Sequence, residues 1–125
     1  MQHDLRVEDG VAFLLTSGPA DLDGWIVMHE ALIAHGDYRP GMPILIDHSA
    51  LDWSTLSADA VRSVGDLVVR CDEAEGWSPI AVVTEVGYGL ARMAQAQVSD
   101  VRRPVRICRT RAEALGWIEE LRAAG

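Results

Sequence analysis

The chain of 125 residues contains no lysine and no asparagine, and it has only two cysteines and one phenylalanine. All 11 basic residues are arginines, and they stand against 19 acidic residues, so the formal net charge is −8. Nucleic acids and anionic membrane surfaces bind positively charged protein faces, so this balance argues against both as partners. Cys71 and Cys108 lack the spacing of a metal site or a redox motif, and we expect both to be reduced thiols.

Long hydrophobic runs are absent as well. No stretch approaches the ~20 apolar residues that a membrane-spanning helix needs. Residues 1–10, MQHDLRVEDG, lack the apolar segment of a signal peptide. We therefore expect a cytoplasmic protein. A length of 125 residues suits one domain, residues 1–125, and the hydrophobic share of 49% is sufficient to build its core.

Strand-like and helix-like segments alternate along the chain. Alternating or continuous apolar runs predict strands at residues 4–8, 11–16, 43–47, 79–84 and 104–109. Apolar residues at helical spacing predict helices at residues 21–36, 57–75, 89–100 and from residue 110 onward. The order β-β-α-β-α-β-α-β-α with short links indicates a single α/β domain. Its mixed, mostly parallel five-stranded sheet carries helices on both faces.

The element order and three short segments resemble the SpoIIAA-like family of small proteins, which are related in fold to STAS domains. The segments are ILID at residues 44–47, YGLARM at 88–93 and EALGWI at 113–118. The resemblance covers nearly the whole chain and implies one SpoIIAA-like domain. CRAL-TRIO lipid-transfer domains also use this fold, but this chain lacks their extra helical portion.

Ser57 opens the helix that follows the ILID strand. STAS domains that antagonise anti-sigma factors carry a phosphorylatable serine at this place, so the resemblance implies that Ser57 is a candidate phosphosite. Thr55 and Ala58 stand where that pattern has an acidic residue and a glycine. The alternative is a helix cap, because a serine at a helix start stabilises by about 1 kcal/mol.

Asp47 stands where a buried strand is predicted to leave the sheet, which is where α/β domains bind ligands. Its carboxylate suits a binding site, and the alternative is that it accepts backbone N–H groups and closes the loop. His48 points to the opposite side of an extended chain, so Asp47 and His48 do not form a catalytic dyad. No nucleophile elbow accompanies Ser49.

Glu85, Tyr88 and Arg92 follow the next inner strand. The turn around Tyr88 either brings backbone amides close to an anion or packs the ring over the end of the sheet. Arg92 can pair with Glu85 or Asp47, or reach an anionic ligand. Five arginines near the end of the chain make a local anion-binding face a further option: Arg102, Arg103, Arg106, Arg109 and Arg111.

Trp53 lies in the loop before Ser57, and it either lines a pocket at the strand ends or covers the core. His29 lies on the apolar stripe of the first helix, and we expect a boundary residue with one satisfied nitrogen. The four histidines share no ligand spacing, so we expect no metal. Two or three tryptophans exposed together would form a homodimer patch; the four are Trp25, Trp53, Trp77 and Trp117.

We infer from these observations a non-enzymatic regulatory or binding module of STAS-like type that needs no cofactor. It engages a protein partner or a small ligand at the strand-to-helix loops. The residues of this site are Asp47, His48, Trp53, Ser57, Glu85, Tyr88 and Arg92. The alternative is a carrier or sensor of a small apolar or lipid-like ligand, with Trp53, Tyr88 and Met93 as pocket walls. A small hydrolase is the third hypothesis, although nothing supplies a nucleophile, a base and an oxyanion site together.

Overall fold

The structure of the protein is a computed structural model, and it describes residues 1–97 and 102–124. The strands are β1 (Gln2–Glu8), β2 (Val11–Pro19), β3 (Ile44–Asp52), β4 (Ile80–Val83) and β5 (Val105–Cys108). The helices are α1 (Leu22–Ala34), α2 (Ala58–Cys71), α3 (Tyr88–Gln97) and α4 (Arg111–Ala124). A short 3-10 helix, Trp53–Thr55, joins β3 to α2. The predicted element order is confirmed.

The five strands form one sheet in the order β1-β2-β3-β4-β5. β1 and β2 are antiparallel, and the hairpin turn between them has φ of 53° at Asp9 and 73° at Gly10. The four strands from β2 to β5 are parallel. The predicted mixed, mostly parallel sheet is therefore confirmed, and the strand order follows the chain.

This strand order decides where the helices lie. Each crossover from β2 to β5 moves in the same direction across the sheet, and such crossovers are right-handed. Helices α1, α2 and α3 therefore cover one face, which we call the three-helix face. Helix α4 follows the last strand and packs on the opposite face, the α4 face, against β4 and β5.

The strands divide their side chains between these two faces. In β3, Ile44 and Ile46 belong to the cluster under the three helices, whereas Leu45 belongs to the cluster under α4. The residues of α1 that are buried are Trp25, Met28, His29 and Leu32. Ile33 of the same helix is 42% exposed, whereas Met28 is fully buried.

The segment after Asp47 differs from the prediction. It was expected to be a loop, but β3 continues to Asp52 because β2 also continues to Pro19 and pairs with it. The pairing register shifts between Leu15 and Ser17, a bulge that lets the two strands run on together. The predicted loop is therefore strand and 3-10 helix.

Helix α2 ends at Cys71 rather than at the predicted Glu75, and turns occupy the residues between Cys71 and β4. Gly76 has a φ of 66°, and a Cβ there would lie 2.7 Å from the backbone nitrogen of Gly41. This position therefore requires glycine. The predicted end of α3, residues 98–100, lies outside the described residues.

No helix in residues 1–97 or 102–124 has the length and apolar character that crossing a membrane requires.

Candidate binding cavity

A cavity of ≈ 100 Å³ lies between the three-helix face of the sheet and the helices that cover it, and it is partly open to the surface. Its walls are almost entirely apolar. Alternate residues of the strands form the floor: Ile46, His48, Ile80, Val82, Val105 and Ile107. The helices and the 3-10 helix form the other walls: Trp25, His29, Trp53, Val61, Val64, Gly65, Val68, Ala91 and Gln95.

Three rings form one end of the cavity. The ring centroids of Trp25 and His48 are 5.2 Å apart, those of His48 and Trp53 are 5.5 Å apart, and those of the two indoles are 5.7 Å apart. Edge-to-face and tilted contacts of this kind suit the charge distribution of aromatic rings. Trp53 therefore covers the core and lines a pocket at the same time, so both of its predicted roles are present.

His48 is buried and neutral. The Thr16 hydroxyl donates to the carbonyl oxygen of Asp47 at 3.2 Å and lies 2.6 Å from Nδ1 of His48. The tautomer of His48 decides which of these two groups donates in the 2.6 Å contact. Burial, together with a smaller contribution from nearby His29, lowers the pKa of His48 to about 3, although Asp47 opposes the shift.

His29 is the second histidine of the cavity wall. It is only 1% exposed, so it is a core residue and not the boundary residue that was predicted. Its Nδ1 lies 2.6 Å from Oε2 of Glu75, and its Nε2 is buried without a hydrogen-bond partner among the described residues. One satisfied nitrogen was predicted, and the structure confirms that part.

Behind His29 lies a buried set of charges. Burial opposes ionisation of Glu75, but the His29 and Arg103 contacts outweigh it and hold the pKa of that carboxyl below its usual value. Arg103 forms ion pairs of 2.7 Å with both Asp72 and Glu75, and its guanidinium also donates to the carbonyl oxygen of Val68 at 3.0 Å. Buried charges persist in proteins when they are paired in this way.

Sequence reasoning did not find this cluster. Glu75 was interpreted as the last residue of a helix, and Arg103 as one member of an exposed arginine face. The arginines in fact separate: Arg103 is buried, Arg106 lies 3.8 Å from Glu113, and Arg111 lies 3.3 Å from Asp47. The only sequence signal was an acidic pair, Asp72 and Glu75, close to a cysteine and a helix end.

The fold also brings together three groups that can ligate a metal. One ligand atom each from His29, Cys71 and Glu75 lies within 4.8 Å of the others. Two facts oppose a cation here. Arg103 already forms an ion pair with Glu75, so the carboxylate has a cation beside it. Burial and the charge of Glu75 raise the pKa of the Cys71 thiol, which keeps the thiol protonated.

Asp47 lies on the α4 face, opposite His48, as the strand alternation predicts. It accepts the backbone N–H of Ser49 at 2.9 Å, the Ser49 hydroxyl, and the Arg111 guanidinium at 3.3 Å. Burial opposes ionisation, but these donors hold the pKa of Asp47 below its usual value. Asp47 therefore anchors the local backbone, and its cation is Arg111 rather than Arg92.

Tyr88 and Arg92 lie outside the cavity. The guanidinium of Arg109 stacks 3.9 Å from the Tyr88 ring centroid, and Arg92 donates to the Tyr88 hydroxyl at 3.3 Å. Tyr88 and Arg92 line a separate open groove of ≈ 370 Å³ that is mainly polar. Glu85, three residues before Tyr88, is exposed. Tyr88 therefore does not line the apolar cavity, contrary to the alternative hypothesis, and the side chain of Met93 is outside the described part.

Ser57 is the N-cap of α2 and accepts the backbone N–H of Ala60 at 3.1 Å. The 3-10 helix before it meets the turn before α3, since a Cβ on Gly87 would lie 2.4 Å from Nε1 of Trp53. The two strand-to-helix connections of the predicted site therefore lie side by side. Of the predicted site residues, His48 and Trp53 line the cavity and the other five do not.

No family model matches the chain, and no curated protein matches it. The arrangement of this sheet and its helices is a SpoIIAA-like fold. A crystal structure of an uncharacterised DUF3478-family protein with this fold, from Shewanella loihica PV-4, is similar to the chain with a TM-score of 0.57. The match covers 93% of this chain and 91% of that chain at 18% identity. The likeness confirms the predicted fold.

Proposed function

We propose that this protein is a non-enzymatic binding module of STAS-like type whose ligand is a small apolar molecule held in the cavity. The observation that carries this proposal is an apolar space of ≈ 100 Å³ between the sheet and its helices, partly open to the surface. Protein interiors are close-packed, so a space of this size in a chain of 125 residues departs from the ordinary packing of a core.

The composition of the walls supports an apolar occupant. Small-molecule sites are concave and mostly apolar, with a few polar groups that orient the ligand. Here valines and isoleucines supply most of the wall, and the polar groups are concentrated in His29, His48 and Gln95. An apolar cavity of about 150 Å³ stays dry and binds benzene, so this cavity suits a molecule no larger than about one six-membered ring.

The contacts of His29 support binding rather than catalysis. A carboxylate that orients a histidine is a common catalytic arrangement, in which the other nitrogen activates a nucleophile. Nε2 of His29 has no hydroxyl or thiol partner among residues 1–97 and 102–124. The pair of His29 and Glu75 therefore presents a hydrogen-bonding atom to the cavity, and the nearby Cys71 thiol, whose pKa burial raises, does not hydrogen-bond to it.

The tryptophans provide a direct test of occupancy. Trp25 and Trp53 line the cavity, whereas Trp77 is 44% exposed and Trp117 packs against the α4 face. Titration with toluene, followed by two-dimensional NMR of the four indole N–H groups, is expected to shift the Trp25 and Trp53 signals and leave the other two in place.

Val61→Leu is the matched variant, because its added volume enters the cavity and should weaken toluene binding. Val83→Leu, on the α4 face, is the control and should leave binding unchanged in protein that remains folded. Equal shifts of all four indole signals, or none, would contradict the proposal. Extraction of freshly purified protein with organic solvent, followed by mass spectrometry, would identify any molecule that the protein already carries.

A protein partner at the carboxyl edge of the sheet is the second candidate function. Val86, in the connection between β4 and α3, is 89% exposed, and Leu90 one turn into α3 is 36% exposed. Apolar residues at such a connection suit protein contact. The four tryptophans do not form one exposed patch, so Val86 is the residue to test.

Sedimentation of the wild-type protein and of Val86→Asp over a wide concentration range tests whether this edge joins two copies of the chain. A dimer that Val86→Asp dissociates would support the second candidate in its homodimer form. A protein that is monomeric at every concentration would exclude a homodimer at this edge.

A further inference from the structure

Two buried polar atoms of the cavity-lining residues lack a hydrogen-bond partner among the described residues: Nε2 of His29, and Nε1 of Trp53, which lies against Gly87. A buried polar atom without a partner destabilises the folded state unless a ligand or water satisfies it. Nε2 of His29 therefore indicates what a ligand must offer, and this inference rests on the function proposed above.

Glu75 determines whether the other nitrogen of His29, Nδ1, donates or accepts a hydrogen bond. An ionised carboxylate only accepts hydrogen bonds, so Nδ1, 2.6 Å from Oε2 of Glu75, carries a proton and donates. Nε2 is then an acceptor in the neutral ring and a donor in the charged ring. The buried cluster behind the ring holds two acids, Asp72 and Glu75, against one cation, Arg103.

A hydroxyl group satisfies either form, because its oxygen accepts and its hydrogen donates. A carbonyl only accepts, and a carboxylate adds a further negative charge to a cluster that already holds two acids. We propose that the cavity binds a small apolar alcohol or phenol, with the ligand hydroxyl hydrogen-bonded to Nε2 of His29 and its hydrocarbon part against the valines of α2.

Phenol and toluene test this proposal, because they differ mainly in a hydroxyl against a methyl group. Both are titrated into uniformly ¹⁵N-labelled wild-type protein, with the His29 ring nitrogens and the indole N–H groups observed by NMR. We expect phenol to bind about tenfold more tightly than toluene, since the hydroxyl pairs an otherwise unpaired buried atom. We also expect phenol, and not toluene, to shift the Nε2 signal of His29.

His29→Gln is the matched variant, since a glutamine side chain can still donate an N–H group to Glu75. In this variant the ratio of phenol affinity to toluene affinity should fall towards one. His3→Gln, in the edge strand β1, is the control and should keep the wild-type ratio. Because the NMR titration uses wild-type protein, it decides the question even where His29→Gln does not fold.

The outcomes separate this proposal from the one on which it rests. Toluene and phenol binding equally, or phenol binding without a change at Nε2 of His29, would overturn the hydroxyl proposal and leave an apolar binding cavity. Failure of both molecules to bind would overturn both proposals. A ratio near ten that His29→Gln removes and His3→Gln keeps would establish the hydroxyl contact.

Discussion

The two faces of the sheet are covered in different ways, although the same strands contribute to both. On the α4 face, Leu45, Ala81, Cys108, Ala114 and Ile118 pack together, and none is more than 1% exposed. Three of these five residues are small, which lets one helix approach the sheet closely. On the three-helix face, larger side chains surround a cavity, two buried histidines and a set of ion pairs.

This difference separates a stabilising face from a binding face. Close packing gains dispersion and hydrophobic energy, and a cavity gives up part of that gain. Buried ion pairs add a desolvation cost that their mutual attraction roughly offsets. The three-helix face therefore carries features that cost stability, and such features are typical of places where a protein binds something.

Removal of Arg103 should give the largest effect. Arg103→Met leaves Asp72 and Glu75 buried without their cation, and we expect a loss of about 3–5 kcal/mol in the free energy of unfolding. Urea unfolding near neutral pH measures it. Arg102→Met, at the exposed neighbouring position, is the control and should change stability by less than about 0.5 kcal/mol. A loss below 1 kcal/mol for Arg103→Met would mean that the charges are not buried as described.

A matched pair of methyl additions compares the packing of the two faces directly. Val83→Ile adds a methyl group to the α4 face and should destabilise by about 1–3 kcal/mol, because a close-packed core has no space for it. Val61→Ile adds the same group beside the cavity, and we expect a change below about 0.5 kcal/mol. Equal losses in urea unfolding would show that the two faces are packed alike.

The pH dependence of stability should come from the three-helix face. The pKa of His48 is about 3 in the folded protein against an ordinary value of 6.5. Below pH 6.5 the unfolded chain therefore binds a proton that the folded protein excludes, so stability falls as the pH falls. The loss is at most about 1.4 kcal/mol for each pH unit down to the folded pKa.

Urea unfolding of the wild-type protein and of His48→Gln between pH 7 and pH 5 tests this, and the variant should show the flatter profile. Glu75 has a lowered pKa and contributes only as the pH falls below its ordinary value of 4.5, outside this window. His3→Gln should retain the wild-type slope. Parallel profiles for all three proteins would exclude His48 as the source.

The smallest expected effects come from the two helix caps, one on each face. Ser57 caps α2 and Thr110 accepts the backbone N–H of Glu113 at 3.1 Å at the start of α4. Ser57→Ala and Thr110→Ala should each cost about 1 kcal/mol, whereas Ser57→Asp should cost little because aspartate also caps well. A loss for Ser57→Asp as large as that for Ser57→Ala would show that Ser57 has a role besides capping.

Periodicity was sufficient to predict the elements and their order, because these depend on neighbours within a few residues. The end of β3 was predicted too early because the bulge that prolongs its pairing with β2 is a contact between distant segments. For the site, His48 and Trp53 were found by their position after a strand. Glu75 and Arg103 were missed, since a charged side chain carries no sign in sequence that it will be buried.

The alternation of strand and helix patterns was sufficient to predict a mixed α/β domain with parallel inner strands, since a helix between two strands usually carries the chain back to the edge of the sheet where the first strand began. Local patterns did not predict that His29 meets Glu75, 46 residues away, or that Arg103 completes the cluster. The tertiary structure decided these contacts, and it also decided that three helices leave a cavity above the sheet while one helix closes the other face. Packing joins residues that are remote in the chain, and local patterns do not record which remote partner a side chain will meet.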